Sequence, residues 1–400
     1  MRVVIAGNGL AGIITAKTIR EQNPDVSIEI FADEKYHYYP RPNLIEYVAG
    51  NISYARLFAF KEDWYREKNI NVHLNVPIKG IAADKNKVYP ASGKEEPFDA
   101  LLLATGAHCF LPPFKGADKK GLFTLRTLED AEKLIAYAKE HTKVVIVGGG
   151  LLGLEIARAL KTRGAEVRVV EYFSHLLPRQ LDEPAASLLE DLIEEMGIKV
   201  HLGKSTEEIL GRESVSGLRF KDGSRFEAET VIVAAGIRSN IALPREAGIE
   251  VDKGIVVDDF LQTNRSRIYA AGDIAQHKGR LYGIIPATFE QARIAAVNIL
   301  GGKTKYDKTV PSNTLKVVGL DVTSIGLVSP EEPGYEEFRK TDREKGIYKK
   351  IVIRDDIVAG AIWIGTKKGV AEISRCITQK IKVKKNKESL LEEDFDFSTL

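Results

Sequence analysis

Three glycines in the segment Ala6-Gly7-Asn8-Gly9-Leu10-Ala11-Gly12 follow the apolar run Val3-Val4-Ile5 and precede a stretch of helical spacing over about 10–22. Glycines so spaced can hold a pyrophosphate. The first makes a tight turn, the second lets the backbone approach the phosphates, and the third brings the helix down onto the strand. Free N–H groups in the first helical turn, at the positive end of the helix dipole, favour the anion. The device recurs at mid-chain, where Gly148-Gly149-Gly150-Leu151-Leu152-Gly153-Leu154-Glu155 follows Val144-Val145-Ile146-Val147. Carboxylates stand where ribose hydroxyls need acceptors: Asp33 or Glu34 after the second strand of the first unit, and Glu171 after that of the second. Asp33 and Glu34 also fit a solvated turn. Glu171 would accept from the hydroxyls of NAD and repel the extra phosphate of NADP. NADH is therefore expected over NADPH, although Arg168, His175 and Arg179 lie close enough in sequence to recruit a phosphate. Glu155 is either a helix-end charge or a group facing the nicotinamide.

Residues 36–44 gather aromatics, Pro40, Arg41 and Pro42 into one segment. The prolines fix φ, and such stiffness suits the wall of a cofactor site. Arg41 either offers its fork to a pyrophosphate or ring edge, or snorkels on a loop.

Strands must carry these groups. Residues 27–31 and 166–170 alternate as strands do, and residues 99–106 form an apolar run ending in Ala104-Thr105-Gly106. The second unit ends in the same way, at Ala234-Ala235-Gly236. Ligands of open parallel sheets sit at such carboxyl ends. Each unit thus runs from three spaced glycines to an Ala-x-Gly turn over a similar length, which marks an internal repeat of two nucleotide-binding domains. A further apolar strand, residues 268–271, runs into Gly272-Asp273, whose carboxylate can accept from a polyol. Pro286 opens a helix through about residue 300, at a first-turn position that tolerates proline. Residues 85–96 read as a hairpin, and Trp64 as packing. From about Pro311 short alternating strands (314–318, 348–353, 357–363) and a helix over 369–379 define a separate C-terminal domain. A tail with Lys380, Lys382, Lys384, Lys385 and Lys387 then turns acidic over 392–397.

Four hundred residues, 44% hydrophobic, supply core for two or three domains. With 58 basic against 56 acidic residues, a net charge of +2 gives no broad field for nucleic acid or an anionic membrane. No apolar run reaches membrane-spanning length, and the first strand begins at once, leaving no room for a signal core; a cytoplasmic protein is expected. Cys109 and Cys376, the two cysteines, are too far apart in sequence for a C-x-x-C pair, have no clustered histidines for a zinc site, and read as inert thiols.

The order of these motifs resembles the two-dinucleotide FAD/NAD(P)H pyridine-nucleotide oxidoreductases over nearly the whole chain. The resemblance implies an α/β fold in which the NAD domain (113–235) is inserted in a discontinuous FAD domain (1–112 and 236–308), followed by a small α+β interface domain (309–380) and a charged tail (381–400). It assigns Gly7, Gly9, Leu10, Ala11, Gly12, Asp33, Glu34, Arg41, Pro42, Ala104, Thr105, Gly106, Gly272 and Asp273 to FAD. To NAD it assigns Gly148, Gly150, Leu151, Leu152, Gly153, Glu155, Glu171 and Gly236. Residues 39–44 and 315–322 look most like NADH:rubredoxin reductases and the flavin module of assimilatory nitrite reductases. The chain ends too early for nitrite reduction, and two cysteines cannot ligate an iron–sulfur cluster or serve a sirohaem site. The segment 38–44 also lacks the cysteines of the disulfide reductases and peroxidases. The resemblance therefore implies that NADH passes a hydride to flavin N5, with the nicotinamide stacked on the flavin between the two domains and the helix near Pro286 steadying the reduced ring. Electrons then pass to a small iron carrier such as rubredoxin; separately, the charge of the tail lysines fits either a dock for an acidic carrier or a solvated tail with no partner. An NADH oxidase using dioxygen and a slow NADH-sensing scaffold are the alternatives, and the protein is expected as monomer or homodimer.

Overall fold

The computed structural model describes residues 1–317, 319–383 and 387–399. Val318, Lys384 and Lys385 lie outside the described residues. The chain divides into two compact units, the first made of Met1–Tyr47, Ile52–His108 and Ile237–Thr309, the second of Val48–Asn51, Cys109–Gly236 and Val310–Leu400.

In the first unit, Arg2–Ala6 is the middle strand of a five-stranded parallel sheet, in the order Ile268–Ala270, Ala100–Leu103, Arg2–Ala6, Ser27–Phe31, Asn71–His73. Covered on both faces, its residues Val3, Val4 and Ile5 are fully buried, which is why this strand reads as a continuous apolar run. The helix Leu10–Gln22 follows directly and packs on the helix Ile285–Ile299, where the Thr15 hydroxyl donates to the Ala292 carbonyl at 3.1 Å. Across the segment expected as a hairpin, 85–96, Lys87–Pro90 pairs antiparallel with Glu96–Pro97; its other edge pairs with Ile78–Ala82, outside that segment, through a turn with Asn86 in the left-handed region (φ 50°).

The second unit repeats the device. Its parallel sheet runs Lys199–His201, Glu166–Val170, Lys143–Val147, Thr230–Val233, Leu122–Phe123, and the helix Leu151–Thr162 leaves the middle strand just as Leu10–Gln22 does. The helix Leu128–Ala138 opens with a capping box between Thr127 and Asp130. After residue 311 comes a five-stranded antiparallel sheet, ordered Ser312–Val317, Leu320–Gly326, Ile357–Ile364, Ile347–Arg354, Glu336–Asp342, with the helix Val370–Gln379 against it. Two of those strands, Leu320–Gly326 and Glu336–Asp342, add to the ones singled out in the sequence. The fold is α/β, with two Rossmann-type sheets and a small α+β C-terminal region.

Candidate functional site

Two of the first unit's three glycines are demanded by the fold. Gly7 has φ +114°, and a Cβ on it would stand 2.3 Å from the Ala104 carbonyl oxygen; a Cβ on Gly12 would stand 2.0 Å from that of Gly7. Gly9 differs. Its φ of −83° suits any residue, and a Cβ would meet nothing within 4 Å. The space in front of Gly9 is thus a cradle that a side chain would fill. Leu10 and Ala11 open the helix over it, and Ala104 donates its N–H to Ala6 at 2.9 Å, locking the neighbouring strand end.

Two buried polar atoms beside this loop have no protein partner, Asn8 Nδ2 and Thr105 Oγ1. Their side chains and backbones are otherwise fixed: Asn8 Oδ1 accepts from the Tyr65 hydroxyl at 3.0 Å, and the Thr105 carbonyl accepts from Asn240 Nδ2 at 2.7 Å. An unsatisfied buried group costs about 1–3 kcal/mol, a cost that a polar ligand in the cradle relieves. Gly272 lies against the same loop, its α-carbon placed so that a Cβ would be 3.0 Å from Ala11 Cβ, and its N–H donates to Gln291 Oε1 at 2.9 Å. The next carbonyl, that of Asp273, accepts from the Ser239 hydroxyl at 2.7 Å, while Asn240 N–H closes on the Gly106 carbonyl at 3.0 Å. Residues 7–12, 104–106 and 272–273 therefore converge, and the chemistry of their donors fits a dinucleotide. Asn8, Tyr65, Ser239, Asn240 and Gln291 carry no spacing signal that would single them out in the sequence.

The ribose acids divide. Asp33 is exposed, whereas Glu34 accepts from Arg41 Nη2 at 2.8 Å and from the Tyr39 hydroxyl. Arg41, 5.8 Å from the Tyr39 ring centre, is thus directed to Glu34; burial works against its charge, but Glu34 and Tyr39 outweigh burial and raise its pKa. Pro42 begins the turn into the helix Asn43–Ala49, its carbonyl accepting from Ile45 at 3.2 Å. His37 Nδ1 is likewise a buried atom without a protein hydrogen-bond partner, and burial lowers its pKa despite Glu62.

The second grip has the same anatomy. Gly148 has φ +119° with the Ala234 carbonyl oxygen 2.5 Å from its would-be Cβ, Gly153 is closed by the Gly148 carbonyl oxygen at 2.0 Å, and Gly150 is open. Glu171 is 6% exposed, and both carboxylate oxygens are held: Oε2 by Gly149 N–H at 2.6 Å, Oε1 by Phe173 N–H at 2.9 Å. Each oxygen keeps a further lone pair. Glu155 pairs with Arg158 on the same helix at 3.1 Å. Leu151 is half-buried and Leu152 exposed on the helix's first turn, while the Gly236 carbonyl accepts from Phe110 at 2.9 Å. Of the cations near Glu171 in sequence, Arg168 pairs with Glu166 and lies over the Phe226 ring, and His175 contacts the Leu176 carbonyl; Arg179 is exposed.

The basic tail is less free than its sequence suggests. Lys387 reaches Glu336 at 2.7 Å and Asp356 at 2.9 Å. Val383, Leu390, Leu391 and Phe397 are buried in one core with Ile351, Trp363 and Cys376, and Lys349 Nζ donates to the Leu391 carbonyl at 2.9 Å. Among the described residues no His, Cys, Asp or Glu cluster suits a metal, and no helix is long and apolar enough to cross a membrane. Burial raises the pKa of both thiols, Cys109 and Cys376.

Each of the two Rossmann-type sheets carries an open-fronted glycine turn, the geometry that admits a dinucleotide pyrophosphate. Residues 1–315 match the family model described as pyridine nucleotide-disulphide oxidoreductase, and residues 311–381 match that of the rubredoxin NAD+ reductase C-terminal domain. The chain belongs to the pyridine nucleotide-disulphide oxidoreductase family, whose members use a flavin and NAD(P)H. It is 38% identical to the nitrite reductase (NAD(P)H) of Bacillus subtilis over 91% of this chain and 45% of that protein. It is 36% identical to an NADH oxidase of Methanocaldococcus jannaschii over 82% of this chain and 77% of that one. Among solved structures, NADH:rubredoxin oxidoreductase of Clostridium acetobutylicum superposes with a TM-score of 0.81 at 28% identity, covering 96% of this chain and 97% of that one. The chain spans about half the length of the nitrite reductases it matches.

Proposed function

We propose that this protein binds one FAD in residues 1–112 and 236–308, takes NADH in residues 113–235, and passes electrons to a small iron protein of the rubredoxin kind. The observation that carries the reading is the open cradle at Gly9 flanked by the unpartnered Asn8 Nδ2 and Thr105 Oγ1. Gly7, Gly9 and Gly12, with Leu10 and Ala11, would hold the FAD pyrophosphate, Asp33 the adenosine ribose, and Asp273 the ribityl hydroxyls. Glu34 and Arg41 form the wall behind them. Bound FAD would supply the hydride-accepting N5 and the split of two electrons into single steps. The chain's own task is to bind, orient and exclude water, and the N-terminal dipole of the Ile285–Ile299 helix would steady the negative charge of the reduced ring. On the nucleotide side, Gly148, Gly150 and Gly153 hold the pyrophosphate and Glu171 the ribose, so NADH is preferred over NADPH. The C-terminal region, 309–380, serves the carrier. Unpaired cysteines suit the reducing cytoplasm, where we place the reaction.

Anaerobic titration with NADH should bleach the flavin, and a panel of carriers should reoxidise it, an acidic rubredoxin fastest. A colourless protein that takes up no added FAD would end this reading. The relative in Methanocaldococcus jannaschii motivates a second one, electron transfer to dioxygen; aerobic NADH turnover as fast without a carrier as with one would favour it.

A further inference from the structure

Directly after Glu171 stand the two most exposed large apolar side chains among the described residues, Tyr172 at 66% and Phe173 at 53%. Their rings meet edge to face at 5.3 Å. Single exposed aromatics need no explanation, but an adjacent pair standing in water does. Their backbone is held rather than loose. Phe173 N–H donates to Glu171 Oε1 at 2.9 Å, and its carbonyl accepts from Gly203 N–H at 3.0 Å. Glu171 in turn is tied to the glycine turn through Gly149 N–H and to Lys204 N–H, which donates to its carbonyl at 2.8 Å. One carboxylate thus bridges the glycine turn and the backbone that carries the aromatic pair, so that backbone keeps a set position relative to the Glu171 carboxylate.

We infer that Tyr172 and Phe173 form the platform on which the adenine of NADH stacks. The base is joined to the ribose that Glu171 would hold, and a planar π-system is the chemistry that two exposed rings beside that carboxylate fit. Stacking of a base on an aromatic side chain tolerates any base and contributes about 1–3 kcal/mol, roughly five- to 150-fold in affinity. The platform gives discrimination in favour of the whole dinucleotide over its nicotinamide half. This inference rests on the assignment of residues 148–171 to NADH.

The test compares the FAD-loaded parent with the double variant Tyr172→Ser, Phe173→Ser, both changes lying at the surface. Titration calorimetry with ADP-ribose, which carries the adenosine but no nicotinamide, should show binding weakened about tenfold or more. Flavin bleaching by NADH and by reduced nicotinamide mononucleotide should show the parent's preference for NADH shrinking by a similar factor, through KM rather than kcat. The ring-keeping pair Tyr172→Phe, Phe173→Tyr should restore both. Equal ADP-ribose affinity in parent and serine variant overturns the inference, as does a serine variant that loses only its rate with a protein carrier, which would make the rings a docking contact. A parent whose flavin NADH fails to reduce would overturn the assignment of NADH itself, a separate outcome.

Discussion

Gly9 and Gly12 make opposite demands on a substituted side chain. A Cβ on Gly12 runs into the Gly7 carbonyl oxygen at 2.0 Å, so Gly12→Ala should lower the melting temperature of the FAD-free protein as well as flavin content. Gly9→Leu, at an ordinary φ and facing open space, should leave that melting temperature unchanged and yet abolish the visible absorbance of purified protein, because the leucine occupies the phosphate's place. Glu171 makes the second residue-scale prediction. A 2′-phosphate set against its buried carboxylate should cost about 1.4 kcal/mol or more, a tenfold preference for NADH in kcat/KM; equal efficiencies would show that the exposed Arg179 overrides it. The glycines were legible in the sequence because their chemistry is local, each set lying within six positions of one strand–helix turn. The side chains that complete the first cradle were not. Asn8 and Thr105 are ordinary polar residues until Tyr65 and Asn240, 57 and 135 positions away, hold them in place. Likewise Glu34 fits the ribose acid in sequence, and only the course of residues 36–42 gives its carboxylate to Arg41 and Tyr39.

At the scale of elements, the helix Glu183–Glu195 shows how an N-cap can serve two masters. Asp182 accepts from Ala185 N–H at 3.3 Å, from the Tyr348 hydroxyl at 2.9 Å and from Arg339 at 3.3 Å, and lies 3.0 Å from the buried ammonium of Lys350. Burial alone would raise the Asp182 pKa; Lys350, Tyr348 and Ala185 outweigh it and hold the carboxyl below its usual value. A carboxylate lowered in the folded state stabilises above its unfolded pKa, and that contribution fades as pH falls through the folded one. The second unit should therefore lose stability in acid below about pH 4, whereas Asp182→Asn should be less stable at neutral pH and flatter in its acid response. Asp182→Ala leaves Lys350, 1% exposed, with Glu337 alone and should cost about 3 kcal/mol in chemical denaturation. The sequence gives no hint of this contact, since no periodicity links residue 182 to residue 350. The buried C-terminal segment was more legible than the charge run suggested. Leu390, Leu391, Phe395 and Phe397 are apolar residues among acids, the pattern of a segment with one face on a core.

For the molecule as a whole, the engagement of Lys387 by Glu336 and Asp356 changes what the basic cluster can do. Lys387→Gln should lower thermal stability, whereas Lys380→Gln with Lys382→Gln should slow reduction of an acidic carrier at low salt and flatten its salt dependence, with screening over roughly 10 Å at 0.1 M. Stopped-flow with NADH and carrier separates that step from flavin reduction, and an unaltered carrier rate would move the dock elsewhere. The discontinuity of the first unit has a different consequence, for the birth of the protein. Its strand Ala100–Leu103 waits for its second neighbour, Ile268–Ala270, whereas the parallel sheet of the second unit closes entirely within residues 122–233. On the ribosome, adding about 5–20 residues per second, the sheet encoded in the middle is complete seconds before the one encoded first. The opening third of the chain must stay unaggregated through that interval, exposing Val3, Val4, Ile5 and Leu101–Leu103 to the surrounding chaperones.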